Sequence, residues 1–497
     1  MVSEHRRRNR VGRDPGRRVV GDRVVQQDRY HRHGSPPDLS SKFGYMRDRS
    51  VTAWLLPPPR AIDAPCQQAR ATMGGLVAPR ESRSAGPSAA AVPVIASPAQ
   101  NSTAQRATGS GTSSFRKDIH GMRAVAVTLV VLSHAHVPGL AGGFVGVDIF
   151  FVISGFVITG VLVRDSDSGA RTLLARFYAR RARRILPAAG VVAVVTVLVT
   201  YGVLGFIRGF ATGRDAVSVA FFAANYHFIS IGTDYALART PPSPLQNYWS
   251  LAVEEQFYIV FPALCLMAFR LGRHRFTSTL FGVMVALTSA SYVWSIHLTA
   301  ANGTAAFFSS ATRACELGIG CLTFLLGPWV RARISAQSAC TAGWLGVGLI
   351  TWAAIKFDPG THFPGALVAV PALGTALAIL SGPSPGPRGV AALLHTRCFQ
   401  WIGSLSYSLY LIHWPLFTIA EQYATTPLSA LTRVGLTGAA VLLAAISYVS
   451  IEKPVWKSRY LSTRPFLSLC IFPVFVLAIL AVVLAEQSHA GLPLRLF

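Results

Sequence analysis

The stretch GMRAVAVTLVVLSHAH at 121–136 sets Arg123 and His134 in an otherwise apolar run. An imidazole, with an ordinary pKa of about 6.5, takes and returns protons near neutrality. A guanidinium stays charged and grips carboxylate or phosphate through a planar fork of donors. On a helix the spacing of these two residues makes three turns plus ~20°, so both leave one face, about 16 Å apart along the axis. A charged or titratable group within a span is costly and usually faces a bundle interior or a wet cavity. On these two residues alone a plainer alternative is equally open: Arg123 snorkels to an interface and His134 bonds a neighbouring helix. His136 points ~200° away from His134 and is read as a bystander.

Further polar groups favour a cavity. Asp148 lies in GGFVGVDIFFVISGF, and Glu254 and Glu255 lie in WSLAVEEQFY. Arg313 and Glu316 are i,i+3 neighbours able to pair on one helix. Ser406, Tyr410 and His413 in GSLSYSLYLIHWP follow i, i+4, i+7 spacing and share a face. Tyr410 and His413 either line that cavity or hydrogen-bond between helices, and Pro415 beside them predicts a kink. The cysteines show no C-x-x-C spacing, and neither His227 nor His297 has a carboxylate or cysteine at ligand spacing, so no metal site is expected.

These residues must be carried by membrane-crossing helices. The chain has 497 residues, 51% hydrophobic and 13% charged, about half the charge of an ordinary soluble domain. Apolar runs of roughly 20 residues, each long enough to span a bilayer, recur from residue 121 onward. The fold class is all-α, a polytopic transmembrane bundle. A formal charge of +25 invites a nucleic-acid reading. The basic residues after Phe115 cluster in short loops between apolar runs, however, which marks the cytoplasmic side of a membrane. No nucleic-acid partner is expected.

Residues 1–114, rich in Arg, Pro, Ser, Gly and Ala, are read as a disordered basic cytoplasmic tail. Residues 115–457 form the membrane domain with ten spans, and 458–497 add one further span with a short outer tail. The eleven spans fall near 122–138, 144–163, 185–206, 249–269, 277–298, 309–330, 341–357, 365–382, 401–423, 430–451 and 465–486. A twelfth apolar segment, DAVSVAFFAANYHFISI at 215–231, is read as re-entrant or interfacial. Counting it as a crossing would send RLGRHR at 270–275 outside, against the positive-inside rule. The expected location is the cell membrane, with a cytoplasmic amino terminus and an extracytoplasmic carboxyl terminus.

The sequence resembles the acyltransferase-3 family of bacterial membrane proteins, which O-acylate glycans and other envelope acceptors. The matching pieces run in the family's order: FRKDIHGMRAVAVTLVVLSHA, GGFVGVDIFFVISGFVITG, FYARRARRILPA, NYWSLAVEEQFYIVFP, RACELGIG, SLSYSLYLIHWPL and SYVSIEKP. The family's Arg-x10-His element falls on Arg123 and His134, and its motif aspartate on Asp148. Its Arg-x-x-Arg falls on Arg181 and Arg184, its WSL glutamate on Glu254, and its Arg-x-x-Glu pair on Arg313 and Glu316. What the resemblance implies is transfer of an acyl group, commonly acetyl, from cytoplasmic acyl-CoA to a hydroxyl of a glycan or lipid-linked acceptor outside.

On that reading acyl-CoA is a co-substrate, with no tightly bound cofactor. Arg181 and Arg184 suit bidentate contact with its phosphates. His134 is the candidate catalytic residue, as general base or as an acyl-accepting nucleophile, and the sequence leaves both open. Asp148 or Glu254 would fix its tautomer, as the acid of a triad does. Arg123 would contact the CoA arm or a carboxylate, and His134 and Arg123 would look into one hydrated channel. The chain departs from the family at His120, at Asn247-Tyr248 and at Cys315, and the first two are expected to bear on acceptor recognition. Many relatives carry an SGNH hydrolase-like domain after the last span. None is expected in this chain, so transfer would be direct or use a separate SGNH-type partner. The rival reading is a transporter or flippase, or an acyl carrier serving another transferase.

Overall fold

The computed structural model describes residues 116–164, 170–232, 241–272, 275–382 and 388–489, and the basic tail lies outside them. All regular structure among these residues is helical. In chain order the first helices are α1 (Lys117–His134), α2 (Gly146–Arg164), α3 (Ala170–Ala220), α4 (Ala224–Ser230), α5 (Tyr248–Leu271) and α6 (Phe276–Ala301). Then come α7 (Gly303–Phe308), α8 (Ser310–Arg331), α9 (Ala336–Lys356), α10 (Ala369–Leu380), α11 (Val390–Leu394), α12 (Arg397–Tyr423) and α13 (Ala430–Ser447). Short α14 (Lys453–Lys457), α15 (Arg459–Thr463) and α16 (Pro465–Leu469) lead to α17 (Ile471–His489).

Among the described residues seven helical stretches are long and apolar enough to cross a membrane: 141–164, 172–220, 248–271, 276–301, 336–356, 430–463 and 465–488. Their outward faces stay apolar, with Ile207, Leu431 and Phe466 largely exposed, as lipid-facing residues are. The chain is a multi-pass membrane protein. Three of the four other expected spans, α1, α8 and α12, are the helices that carry Arg123, Arg313, Glu316 and His413. Being less apolar, they are drawn inside the bundle. The fourth, α10, has 12 residues, too few to cross a bilayer at ~1.5 Å per residue.

Two glycine contacts fix the inner helices. A Cβ on Gly155 of α2 would collide with the Leu317 carbonyl oxygen of α8, and one on Gly320 of α8 with the Val152 carbonyl of α2. Missing side chains let these backbones touch, a common device where lipid supplies no hydrophobic drive between helices. On the other side of α1, Val127 and Val131 pack with Leu409 of α12 and Ala440 and Ala444 of α13. The last helix joins the same core, since Phe475, Ile479 and Val483 cluster with Phe177, Trp249 and Phe261.

The ambiguous segment 215–231 has a local explanation. Helix α3 breaks at Gly205, whose φ of 78° lies in the left-handed region that suits a residue without a Cβ. After the break the chain folds back on itself: Gly209 abuts the ring of Tyr201, and a Cβ there would strike it. The returning segment is tied down by a polar network. Asn225 Nδ2 donates to the Phe308 carbonyl (3.1 Å) and to Ser310 Oγ (3.0 Å), and Gln256 Nε2 donates to Asn225 Oδ1 (2.9 Å). His227 has a partner that its sequence surroundings did not reveal, Asp215 at 2.8 Å.

Candidate functional site

One helical turn separates Arg181 from Arg184, so both face the same way from α3. Together with Arg116 and Arg123 of α1 and Lys457 of α14 they line a cavity of about 360 Å³ at the end of the bundle where α1 begins. Neither Arg123, Arg181 nor Arg184 forms an ion pair with a described residue, whereas Arg116 is spent on Asp118 at 2.5 Å. Arg183, between them, faces the other way and donates to the Leu461 carbonyl (2.9 Å) and Ser468 Oγ (2.8 Å). The helix thus divides its arginines. One face serves the cavity, and the other fastens the segment before α17.

The cavity also holds two carboxylates, Glu254 and Glu452. Glu254 accepts from the hydroxyls of Ser154 and Tyr258, and the Arg181 guanidinium lies 4.4 Å over the Tyr258 ring, within range of a cation–π attraction. Glu452, absent from the sequence-based candidates, sits in a π-helical turn, 448–452, and accepts from Ser408 Oγ at 3.0 Å. Its signal was available in SYVSIEKP, where an acid follows an apolar run directly. Such π turns often accompany functional sites.

Val147, Phe150, Phe151, Ser250, Tyr410 and Leu411 also line the cavity. Tyr410 is held by its hydroxyl. Its hydroxyl lies 2.6 Å from Ser250 Oγ and donates to the Asn247 carbonyl at 3.1 Å, while its ring centre is 5.7 Å from that of His413.

Behind Tyr410 stand the two histidines. His413 Nδ1 is 3.0 Å from the Leu409 carbonyl, and His413 Nε2 is 3.0 Å from His134 Nδ1. A carbonyl only accepts, so His413 carries its proton on Nδ1 and offers Nε2 as acceptor. His134 then donates from Nδ1, and its basic nitrogen is Nε2. Trp414 packs edge-on against His134 at 4.7 Å and donates from Nε1 to the Ser243 carbonyl at 2.9 Å.

This differs from the sequence expectation in two ways. Arg123 lines the cavity and His134 does not, and Tyr410, part of the lining, lies beside His413. The partner that orients His134 is His413 of α12, where Asp148 or Glu254 was expected. Asp148 is occupied elsewhere. The Arg313 guanidinium donates to Asp148 at 3.1 Å and to Glu316 at 2.9 Å, all three side chains at most 1% exposed. The rings of Phe151, Trp249, Phe307 and Phe363 surround Arg313 at 5.2–5.8 Å. The ion cluster joins α2 to α8 beside the glycine contacts, and its three charged residues are not among those lining the cavity, although Phe151 is.

Residues 116–450 match the family model described as an acyltransferase domain. The chain belongs to the acyltransferase-3 family. It is 30% identical over 365 residues to the peptidoglycan O-acetyltransferase OatA of Listeria monocytogenes, covering 69% of this chain and 56% of that protein. To the putative peptidoglycan O-acetyltransferase YrhL of Bacillus subtilis it is 28% identical over 408 residues, covering 75% and 63%. To the O-acetyltransferase OatA of Staphylococcus aureus it is 30% identical over 354 residues, covering 69% and 57%. The chain spans less than two thirds of the length of each of these relatives. No solved structure matches it. Within this family domain the departures at 120 and 247–248 are internal. His120 lines the basic cavity, Asn247 is turned onto α12, and Tyr248 donates to the Ala189 carbonyl at 2.8 Å.

Proposed function

We propose that this acyltransferase moves an acetyl group from acyl-CoA, bound at the basic end facing the cytoplasm, to a hydroxyl of an envelope glycan at the histidine end. The observation that carries the reading is the order of groups along α1. A cavity lined by Arg123, Arg181 and Arg184, none of them in an ion pair with a described residue, comes first, then Tyr410 in its lining, then His134 with an assigned basic nitrogen. From Arg123 to His134 the helix rises ~16 Å, a distance spanned by an extended pantetheine arm.

The arginines hold the donor's phosphates through charge-assisted bonds. The thioester tip passes Tyr410 to reach His134. His134 Nε2 accepts the proton of the acceptor hydroxyl as its oxygen bonds to the thioester carbonyl carbon. The tetrahedral intermediate expels the thiolate as the C–S bond breaks, and the imidazolium returns the proton to sulfur. Products are the O-acetyl ester and free CoA thiol. His413 holds the ring of His134 in the tautomer this step needs. The names of the relatives support a glycan of the peptidoglycan kind as acceptor.

The test is covalent. Purified protein in liposomes is supplied with radiolabelled acetyl-CoA on the basic side and peptidoglycan fragments on the other. Alkali-labile label on the glycan supports the reading. Export of label without an ester would make the chain a carrier and refute it.

A further inference from the structure

Pro415 within α12 creates a dependence that the catalytic pair itself does not display. Pro415 has no N–H, so the Leu411 carbonyl loses its normal helical donor. The side chain of Asn247, 3% exposed, reaches this turn: Nδ2 lies 2.9 Å from the Tyr410 carbonyl and 3.4 Å from that of Leu411. Tyr410 answers by donating its hydroxyl to the Asn247 carbonyl at 3.1 Å. Asn247 Oδ1 has no hydrogen-bond partner, so the amide acts here through its donors.

These carbonyls belong to the turn that aims His413. One residue earlier, the Leu409 carbonyl takes the His413 Nδ1 proton at 3.0 Å and so fixes which nitrogen faces His134. The same turn sets Tyr410 in the cavity lining. We propose that Asn247 is a positioning residue for acyl transfer: by bonding the Tyr410 and Leu411 carbonyls ahead of Pro415, it fixes the Tyr410–His413 turn and thereby the tautomer and aim of His134. The proposal rests on the histidine reading above, and it assigns residue 247 a role in the bundle in place of the acceptor recognition expected from sequence.

Asn247→Asp keeps the shape and removes the donors, and Asn247→Leu removes all polarity. Each is assayed in liposomes with radiolabelled acetyl-CoA and peptidoglycan fragments, with activity expressed per folded molecule from its monodisperse elution in detergent. Displacing a catalytic group by about 1 Å costs on the order of 100-fold, so kcat is expected to fall ~10–100-fold in both variants. KM for acetyl-CoA stays near the wild-type value, because the phosphate-binding arginines are untouched, and the acid limb of the pH–rate profile moves. A merely structural role would lower folded yield and leave per-molecule kcat and the acid limb unchanged, which would overturn the proposal. His134→Ala in the same assay separates the two levels. Full activity in that variant overturns the histidine reading. An inactive His134→Ala beside a wild-type-like Asn247→Asp overturns only the positioning role.

Discussion

His134 and His413, distant in the chain, meet through ring nitrogens 3.0 Å apart at the junction of α1 and α12. The Leu409 carbonyl fixes the direction of that bond and leaves one basic nitrogen in the pair, Nε2 of His134. General-base catalysis contributes typically 10²–10⁴-fold, so His134→Ala is expected to lose about that factor in kcat with unchanged folded yield. His413→Ala leaves the base in place but unaimed and should cost less, about 10–100-fold. Because the base works only when neutral, the wild-type rate must fall as pH drops through its titration. Initial rates of acetyl transfer across pH check all three statements.

The Asp148–Arg313–Glu316 cluster predicts the opposite phenotype. Removing one partner of a buried ion pair leaves a charge without compensation, at a cost of about 3–5 kcal/mol. Arg313→Ala should therefore collapse folded yield and lower the thermal midpoint in detergent before any question of activity arises. Asp148→Asn, which keeps an acceptor oxygen for Arg313, should lose less. Normal thermal stability in Arg313→Ala would remove the cluster's structural role.

At the basic end the expected change is in donor affinity. A hydrogen bond to a charged group contributes ~1.5–3 kcal/mol, so Arg181→Ala with Arg184→Ala should raise KM for acetyl-CoA at least tenfold while kcat at saturation changes little. Arg183→Ala, between them in sequence but turned toward Leu461 and Ser468, should leave KM alone and loosen the segment before α17. Titrating acetyl-CoA against the two variants distinguishes a cavity wall from a basic loop that only sets topology.

What was legible in the sequence was what helical periodicity carries. Arg181 and Arg184 share a face by their spacing, as do Tyr410 and His413, and an arginine inside an apolar run announced a polar interior. Pairings between distant helices were not legible. Nothing local indicates that the bond of His134 goes to His413 or that Asp148 is claimed by Arg313, because those choices are made by helix packing. Asn247 was assigned to acceptor recognition and Glu452 was overlooked for a related reason. An amide among loop residues and an acid at a span's end look like ordinary boundary polarity until Pro415 and the π turn bring them inside. The charge rule read 215–231 as re-entrant or interfacial, and the fold-back after Gly205 was not legible in the sequence.

The contact between α2 and α8 gives the last prediction, linking packing to the cavity. A methyl on Gly155 would strike the backbone carbonyl of Leu317, which cannot rotate aside as a side chain would. The helices must part, and overpacking of this kind costs typically ~1–3 kcal/mol. Gly155→Ala should thus lower the thermal midpoint, and Gly155→Leu should lower it further. Helix α2 also supplies Phe150, Ser154 and Val157 to the cavity wall, so the displacement reaches the donor site. KM for acetyl-CoA should rise in Gly155→Ala although no lining side chain has changed. An alanine variant with wild-type stability and KM would show that α2 and α8 have room to spare, and that the fit between them does not set the width of the cavity.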